Sequence, residues 1–67
     1  MKTLNINETL ENKDADRFYN ECINNGDLYS EGNAKEEGFT WRMFCESGEY
    51  LVKSGKDDVV FFIVRVK

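Results

Sequence analysis

The segment that most constrains the fold of this protein is residues 59–66, Val-Val-Phe-Phe-Ile-Val-Arg-Val. Its β-branched and aromatic composition, directly after the polar turn residues 54–58, is typical of a β-strand. Successive side chains of a strand point to opposite faces, and here both faces are apolar. We therefore expect cover on both faces. We also predict that the strand does not remain an unpaired sheet edge, because a bare hydrophobic edge invites aggregation.

The protein has 67 residues, which corresponds to one small domain spanning residues 1–67. A protein of this size buries only about 60% of its unfolded surface, so a thin stability margin is expected. Its 40% hydrophobic and 33% charged residues indicate an ordinary globular protein rather than disorder. No apolar run approaches the roughly 20 residues that span a bilayer, and the N-terminus lacks a signal-peptide pattern. We expect a soluble, cytoplasmic protein without a membrane association.

Residues 10–25 carry the period of an amphipathic helix. The apolar stripe falls at i, i+3, i+4, i+7 and i+8 and consists of Ala15, Phe18, Tyr19, Cys22 and Ile23. Asn12 or Asp14 is expected to cap the start of this helix. Gly26 suits the position just beyond its end, which commonly adopts a left-handed conformation.

The second half of the sequence has the pattern of strands joined by tight turns. Residues 39–45 alternate cleanly, residues 46–49 form a turn around Gly48, and residues 49–53 form the return strand before the last one. Residues 27–38 show no sustained period and are interpreted as a connection. Residues 2–7 are ambiguous, since they suit either a short strand beside the last one or an extended capping segment.

These elements predict an α+β fold, with one N-terminal helix packed on a three-stranded antiparallel β-meander. A fourth strand is added if residues 2–7 pair with the last strand. The helix is expected to cover one face of that strand, including either Phe61 and Ile63 or Phe62 and Val64. Whatever covers the other face decides between a monomer and a homodimer formed through the C-terminal strand.

No motif for catalysis, metal binding or cofactor binding is present in the sequence. Cys22 and Cys45 have no histidine to act as a base or to complete a four-ligand zinc site. We interpret them as buried free thiols rather than as a disulfide, because free cysteine behaves as a small hydrophobe. Neighbouring carboxylates such as Asp57 and Asp58 suit a turn, not a pocket for acid–base chemistry. We therefore expect no enzyme activity, no cofactor and no metal.

Acidity is concentrated in the N-terminal half of the sequence. The net charge is −4, with a balance of −5 in residues 1–37 and +1 in residues 38–67. Spaced carboxylates on a small rigid domain can imitate a phosphate backbone and bind a partner with a basic surface. An ordinary solvated face is an equally good interpretation. The candidate partner-binding residues are Glu8, Glu11, Asp14, Glu21, Asp27, Glu31, Glu36 and Glu37.

The leading hypothesis is a non-enzymatic, acidic protein-binding module that inhibits or modulates a larger partner. That partner is a candidate nucleic-acid-binding protein. The small size of the module and its lack of proline are typical of the accessory proteins of phages and mobile elements. This comparison is based on general proportions and not on a sequence motif. One alternative is a small homo-oligomeric structural or regulatory protein that associates through its last strand. Another is weak nucleic-acid binding through Arg42, Lys53 and neighbouring aromatic residues, which the net acidity disfavours.

Overall fold

The computed structural model describes residues 3–67. The elements, in sequence order, are β1 (Thr9–Glu11), α1 (Asn12–Asn24), β2 (Leu28–Asn33), β3 (Trp41–Cys45), β4 (Gly48–Ser54) and β5 (Val60–Arg65). The five strands form one antiparallel sheet in the order β1-β5-β4-β3-β2. Helix α1 packs on one face of this sheet, so the α+β class is confirmed. Within the described residues, no helix has the length and apolar character needed to cross a membrane.

Two details of the predicted architecture are wrong. The sheet has five strands rather than three or four, and α1 follows β1 instead of opening the fold. The interpretation of residues 27–38 as a connection fails because β2 occupies part of them. Strand β2 pairs along its length with β3, as in the pair Glu31 and Met43. Its sequence, Leu-Tyr-Ser-Glu-Gly-Asn, lacks alternation because it forms an end of the sheet and is exposed along most of its length.

The N-terminal segment behaves as a cap rather than as a strand. Leu4 is fully buried whereas Ile6 is 58% exposed, and residues 3–8 carry no strand. The Arg65 side chain donates from Nη1 to the Leu4 carbonyl oxygen at 2.7 Å, which fixes this segment against the end of β5. Lys2, the first residue of the ambiguous stretch, lies outside the described residues. The capping alternative is therefore correct for residues 3–7.

Strand β5 is internal to the sheet and pairs on both sides. Ile63 lies opposite Leu10 of β1 and opposite Val52 of β4. The prediction that this strand does not remain unpaired is confirmed. For the alternative of a homodimer through the C-terminal strand, β5 offers no open edge between Phe62 and Val64, because β1 and β4 occupy both edges there.

A bulge interrupts β5 and changes which residues face the helix. Phe62 pairs with Lys53 and Val60 pairs with Ser54, so the register skips Phe61. Val60 and Ile63 are both fully buried on the helix side, while Phe61 is turned outward and is 45% exposed. Neither predicted pair, Phe61 with Ile63 or Phe62 with Val64, is therefore correct, because of these four residues only Ile63 is buried in the core. An extra residue in one strand shifts every later side chain to the opposite face.

The core lies between α1 and the inner face of the sheet. Ala15, Phe18 and Cys22 are buried, as the helical stripe predicts, whereas Ile23 is exposed. The Phe18 ring packs against the Tyr50 ring at 5.3 Å between centroids, with the planes tilted by 59°. Such tilted pairs favour the edge-to-face attraction of aromatic quadrupoles.

The two ends of α1 differ in how they are capped. The C-terminal end of α1 is a Schellman motif. In this motif Gly26 has a φ of 72°, and the Asp27 N–H donates to the Cys22 carbonyl at 2.9 Å. The predicted role of Gly26 is confirmed. At the start, Glu11 is the N-cap residue, and its side chain makes no capping hydrogen bond. The expectation of capping by Asn12 or Asp14 is wrong, since both lie inside the helix.

Gly48 begins β4 where the C-terminus crosses it closely. Its φ is 150°, and a Cβ atom there would lie 2.6 Å from the Lys67 carbonyl oxygen.

We expect Gly48→Ala to lower the free energy of unfolding by about 1–3 kcal/mol, because the backbone must shift. Urea unfolding measures the change. The matched control is Gly32→Ala, where nothing lies within 4 Å. It should change the free energy by no more than about 0.5 kcal/mol. Equal effects of the two substitutions would contradict the close approach at Gly48.

Candidate functional site

The acidic residues proposed from the sequence are spread over both faces of the sheet. Several are engaged within the protein: Asp27 accepts from Ser47 at 2.7 Å, and Glu31 accepts from Tyr19 at 3.2 Å. Glu36 accepts from Arg42 at 3.0 Å. Of the other acidic residues, Asp14 and Glu21 line a shallow groove along α1. The Glu8 carboxylate accepts a hydrogen bond from the Asn5 N–H. Glu11 and Glu37 are exposed to solvent.

The most distinctive concave surface lies between the start of α1 and the start of β5, and we call it the α1–β5 groove. Its volume is about 450 Å³. Its lining consists of Asn12, Lys13, Asp16, Arg17, Val59, Val60 and Phe61. Val59 is 52% exposed and Phe61 is 45% exposed, so one wall of the groove presents apolar side chains to solvent.

Local backbone features explain why these apolar residues face outward. The bulge turns Phe61 away from the core, and Asp58 just before the strand has a φ of 60°. Across the groove, Asn12 also has a positive φ, of 54°. Non-glycine residues adopt this region at a cost, and such residues concentrate at functional sites. The Asp16 carboxylate accepts the Val60 N–H at 3.3 Å and ties the helix to the bulged strand.

The opposite wall of the groove carries positive charge. Lys13 and Arg17 are one helical turn apart and therefore share a face of α1. Arg17 contacts Asp14 at 3.9 Å, but both side chains are about 70% exposed, so solvent screens this pair. The groove thus combines an apolar wall with a wall that carries two cations beside the Asp16 carboxylate, which is engaged with the Val60 N–H. Such a surface can hold an apolar side chain that is followed or preceded by a negative group.

On the sheet face opposite α1, the protein shields much of its own apolar surface. The Lys53 ammonium group lies 4.9 Å from the centre of the Phe39 ring and 5.0 Å from that of Phe62. The Arg42 guanidinium group is held by Glu36 and Glu49 at 3.0 and 3.1 Å. Of the two cations on which the nucleic-acid alternative depends, Lys53 is therefore engaged with aromatic rings and Arg42 with carboxylates. This geometry favours a self-covered face over a surface for stacking bases.

A cluster that was not anticipated from the sequence joins Cys22, Cys45 and Asp27. Their ligand atoms, the two sulfurs and a carboxylate oxygen, all lie within 4.8 Å of one another. Both cysteines are buried and free, as predicted. Contact with the Cys45 thiol lowers the pKa of Cys22. The same contact, together with burial, raises the pKa of Cys45.

The helical stripe and the alternation of β3 do place both cysteines on the inner side of the fold. What the sequence does not reveal is that the end of α1 lies beside the end of β3. The Glu46 N–H donates to the Asp27 carbonyl at 2.9 Å and fixes this juxtaposition. Tyr50 is also part of this region, since its hydroxyl lies 3.0 Å from Ser47 Oγ. Burial raises the pKa of Tyr50, which opposes the lowering effect of that hydrogen bond.

Comparisons with protein-family models, with curated proteins and with solved structures find no match for this protein. Two places among the described residues stand out as candidate sites for their geometry. The α1–β5 groove combines exposed apolar side chains, unusual backbone and charge, and the cysteine cluster combines buried thiols with a carboxylate.

Tyr19 offers a test of the contact between α1 and β2. Its ring stacks on Trp41 at 5.6 Å, and its hydroxyl donates to Glu31. Burial, followed by the charge and hydrogen bond of Glu31, raises the pKa of Tyr19 to about 12. The fold therefore favours the neutral phenol. The associated stability is fully present below the ordinary value of about 10 and is lost as the pH rises from there towards 12.

We expect Glu31→Gln to lower the pKa of Tyr19, because the substitution removes the negative charge beside the phenol. Phenolate absorbance, followed with the Tyr19→Phe variant as the assignment control, measures the change. Glu37→Gln is the matched charge control, since Glu37 does not contribute to this shift. An unchanged titration of Tyr19 in the Glu31 variant would contradict the contact between α1 and β2.

Proposed function

We propose that this protein is a non-enzymatic protein-binding module that inhibits or modulates a larger partner, and that it docks the partner in the α1–β5 groove. The observation that carries the proposal is the exposure of Val59 and Phe61 beside Lys13 and Arg17. Exposed apolar groups rimmed by polar ones are typical of interaction surfaces.

The arrangement of β5 supports this choice of surface. A strand that kept its alternation would bury Phe61 under the helix together with Ile63. Instead, the bulge exposes Phe61 while Val60 takes the inner position. A small domain has little stability to spare. An exposed phenylalanine on a bulged strand is therefore better explained by a use in binding than by packing within the protein.

The charge of the groove indicates the chemistry of its occupant. Lys13 and Arg17 stand on the wall opposite the apolar pair, and among the described residues only Asp14 forms an ion pair with either of them. A complementary partner segment carries a large apolar side chain next to an aspartate, a glutamate or a terminal carboxylate. Charge complementarity of this kind steers encounter and sets orientation.

The acidic residues define a second candidate surface for the same class of function. A partner with a basic surface would contact the exposed carboxylates, among them Glu37, and would compete with Arg42 for Glu36. Backbone pairing with a second copy is less favoured by the geometry. The end strand β2 has a register shift at Tyr29 and carries Glu31, and bulges and charges both oppose edge-to-edge association.

The experiment begins with capture of partners by the tagged full-length protein from cells that naturally make it, and continues with the purified partner. Val59→Thr/Phe61→Thr should weaken binding by at least about tenfold, which corresponds to about 1.4 kcal/mol of lost apolar burial. Lys13→Gln/Arg17→Gln should weaken it and flatten its dependence on salt. Titration calorimetry measures both effects.

The matched control is Ile6→Thr, which removes an equally exposed apolar residue outside the groove and should leave affinity unchanged. Circular dichroism checks that all variants remain folded, as expected for exposed positions. Full affinity in the Val59/Phe61 variant would overturn the groove as the docking site. If Glu31→Gln/Glu36→Gln/Glu37→Gln then lost affinity, the acidic surface would be the binding site instead.

A further inference from the structure

We propose that Cys22, Cys45 and Asp27 form a binding site for one thiophilic d¹⁰ cation, with Zn²⁺ as the best-suited ion. The proposal is independent of the docking groove, because it depends only on residues at the other end of α1. Thiolate ligands select zinc and related soft or borderline cations over Mg²⁺ and Ca²⁺.

The spacing of the ligand atoms suits a single ion. The two sulfurs and a carboxylate oxygen of Asp27 lie within 4.8 Å of one another. Zinc binds sulfur at about 2.3 Å and oxygen at about 2.0–2.2 Å, so the ligands of one tetrahedral ion lie roughly 3.5–3.8 Å apart. A contraction of about 1.3 Å or less, achieved by side-chain rotation, would bring the three atoms into place.

Rigid elements hold the three ligands. Cys22 lies in the last turn of α1 and Cys45 is the last residue of β3. Asp27 is fixed between them, since its N–H donates to the Cys22 carbonyl at 2.9 Å and its carbonyl accepts the Glu46 N–H at 2.9 Å. Ligands on secondary structure with fixed backbones give a more exact site than ligands on a free loop.

The Asp27 carboxylate has the arrangement of a supported metal ligand. Its Oδ2 atom accepts a hydrogen bond from Ser47 Oγ at 2.7 Å, and Ser47 is in turn 3.0 Å from the Tyr50 hydroxyl. Oriented carboxylates of this kind are common around zinc. The Ser47 hydrogen bond uses only one oxygen of the carboxylate, so the carboxylate can keep this bond and ligate an ion through its other oxygen.

The local charge also favours a cation. Asp27 and Glu21 are the charged groups that act on the Cys22 sulfur, and both are negative. The C-terminal end of α1, which carries partial negative charge, lies at the same place. Binding of the ion would displace the two thiol protons to solvent and place a dication among two thiolates and a carboxylate.

Three protein ligands leave a fourth position of a tetrahedral zinc for water or for a group from a partner. Cys22 is fully buried and Cys45 is 5% exposed, whereas Asp27 is only partly buried. The ion is therefore expected to enter on the Asp27 side, and its open position would face outward there.

The test is titration of the reduced full-length protein with Co²⁺, a spectroscopic substitute for zinc. We expect one equivalent to bind with a thiolate-to-cobalt charge-transfer absorption, and Zn²⁺ to displace it. Asp27→Asn should weaken cobalt binding by at least about tenfold, because a neutral amide replaces a charged ligand. Asp14→Asn, which removes an exposed carboxylate elsewhere on α1, should leave binding unchanged.

Cys45→Ala and Cys22→Ala should each remove most of the charge-transfer band, and Asp27→Asn keeps the test valid if either variant fails to fold. The proposal is overturned if the folded, reduced protein shows no such band at one equivalent. It is also overturned if Asp27→Asn and Asp14→Asn bind equally well. Failure to bind cobalt combined with loss of two hydrogen atoms on air oxidation would identify a disulfide pair instead.

Discussion

Pairing of β5 on both sides is the interaction on which the rest of this structure depends. β4 occupies one edge of the strand, and the short β1 occupies the other. Before β1, Arg65 holds the Leu4 carbonyl and the backbone turns at Asn7, which has a φ of 72°. The N-terminus therefore provides the pairing that an otherwise aggregation-prone strand needs. Helix α1 begins directly after β1, so this pairing also positions the helix over the sheet.

The position of α1 then determines both candidate sites. The N-terminal end of the helix lies beside the bulge of β5. The register shift at this bulge leaves Phe61 on the surface with Val59, beside Lys13 and Arg17. At the C-terminal end of the helix, the Schellman motif turns the backbone so that Asp27 lies between the two cysteines. The two ends of one helix thus carry different chemistry, with an apolar and cationic groove at one and thiols with a carboxylate at the other.

The elements with a strong periodic signal could be predicted from the sequence. The stripe of α1 and the apolar runs of β3, β4 and β5 reflect burial on the inner face, and burial is what periodicity reports. β1 and β2 could not be predicted in this way. Thr9–Glu11 is too short to show a period, and Leu28–Asn33 is an exposed end strand held mainly by its backbone bonds to β3.

The candidate sites were harder to predict for a related reason. Phe61 and Ile63 are chemically similar and two residues apart, and only the bulge distinguishes them. Bulges depend on the fit between strands and helix, which a single sequence does not show. The cysteines were correctly predicted to be buried and unbonded, but their proximity depends on where α1 ends relative to β3. The acidic residues are concentrated in the N-terminal half of the sequence, but the fold distributes them over both faces of the sheet.

The most direct test of the central claim, that β5 is internal to one protein molecule, is nuclear magnetic resonance of a mixture of isotope-labelled and unlabelled protein. An internal β5 requires strong contacts between Thr9–Glu11 and Phe62–Val64 within one copy. It also requires slow exchange of the Arg65 amide, which donates to the Glu8 carbonyl at 3.1 Å. Contacts between β5 strands of different copies, with rapid exchange of that amide at low concentration, would contradict it.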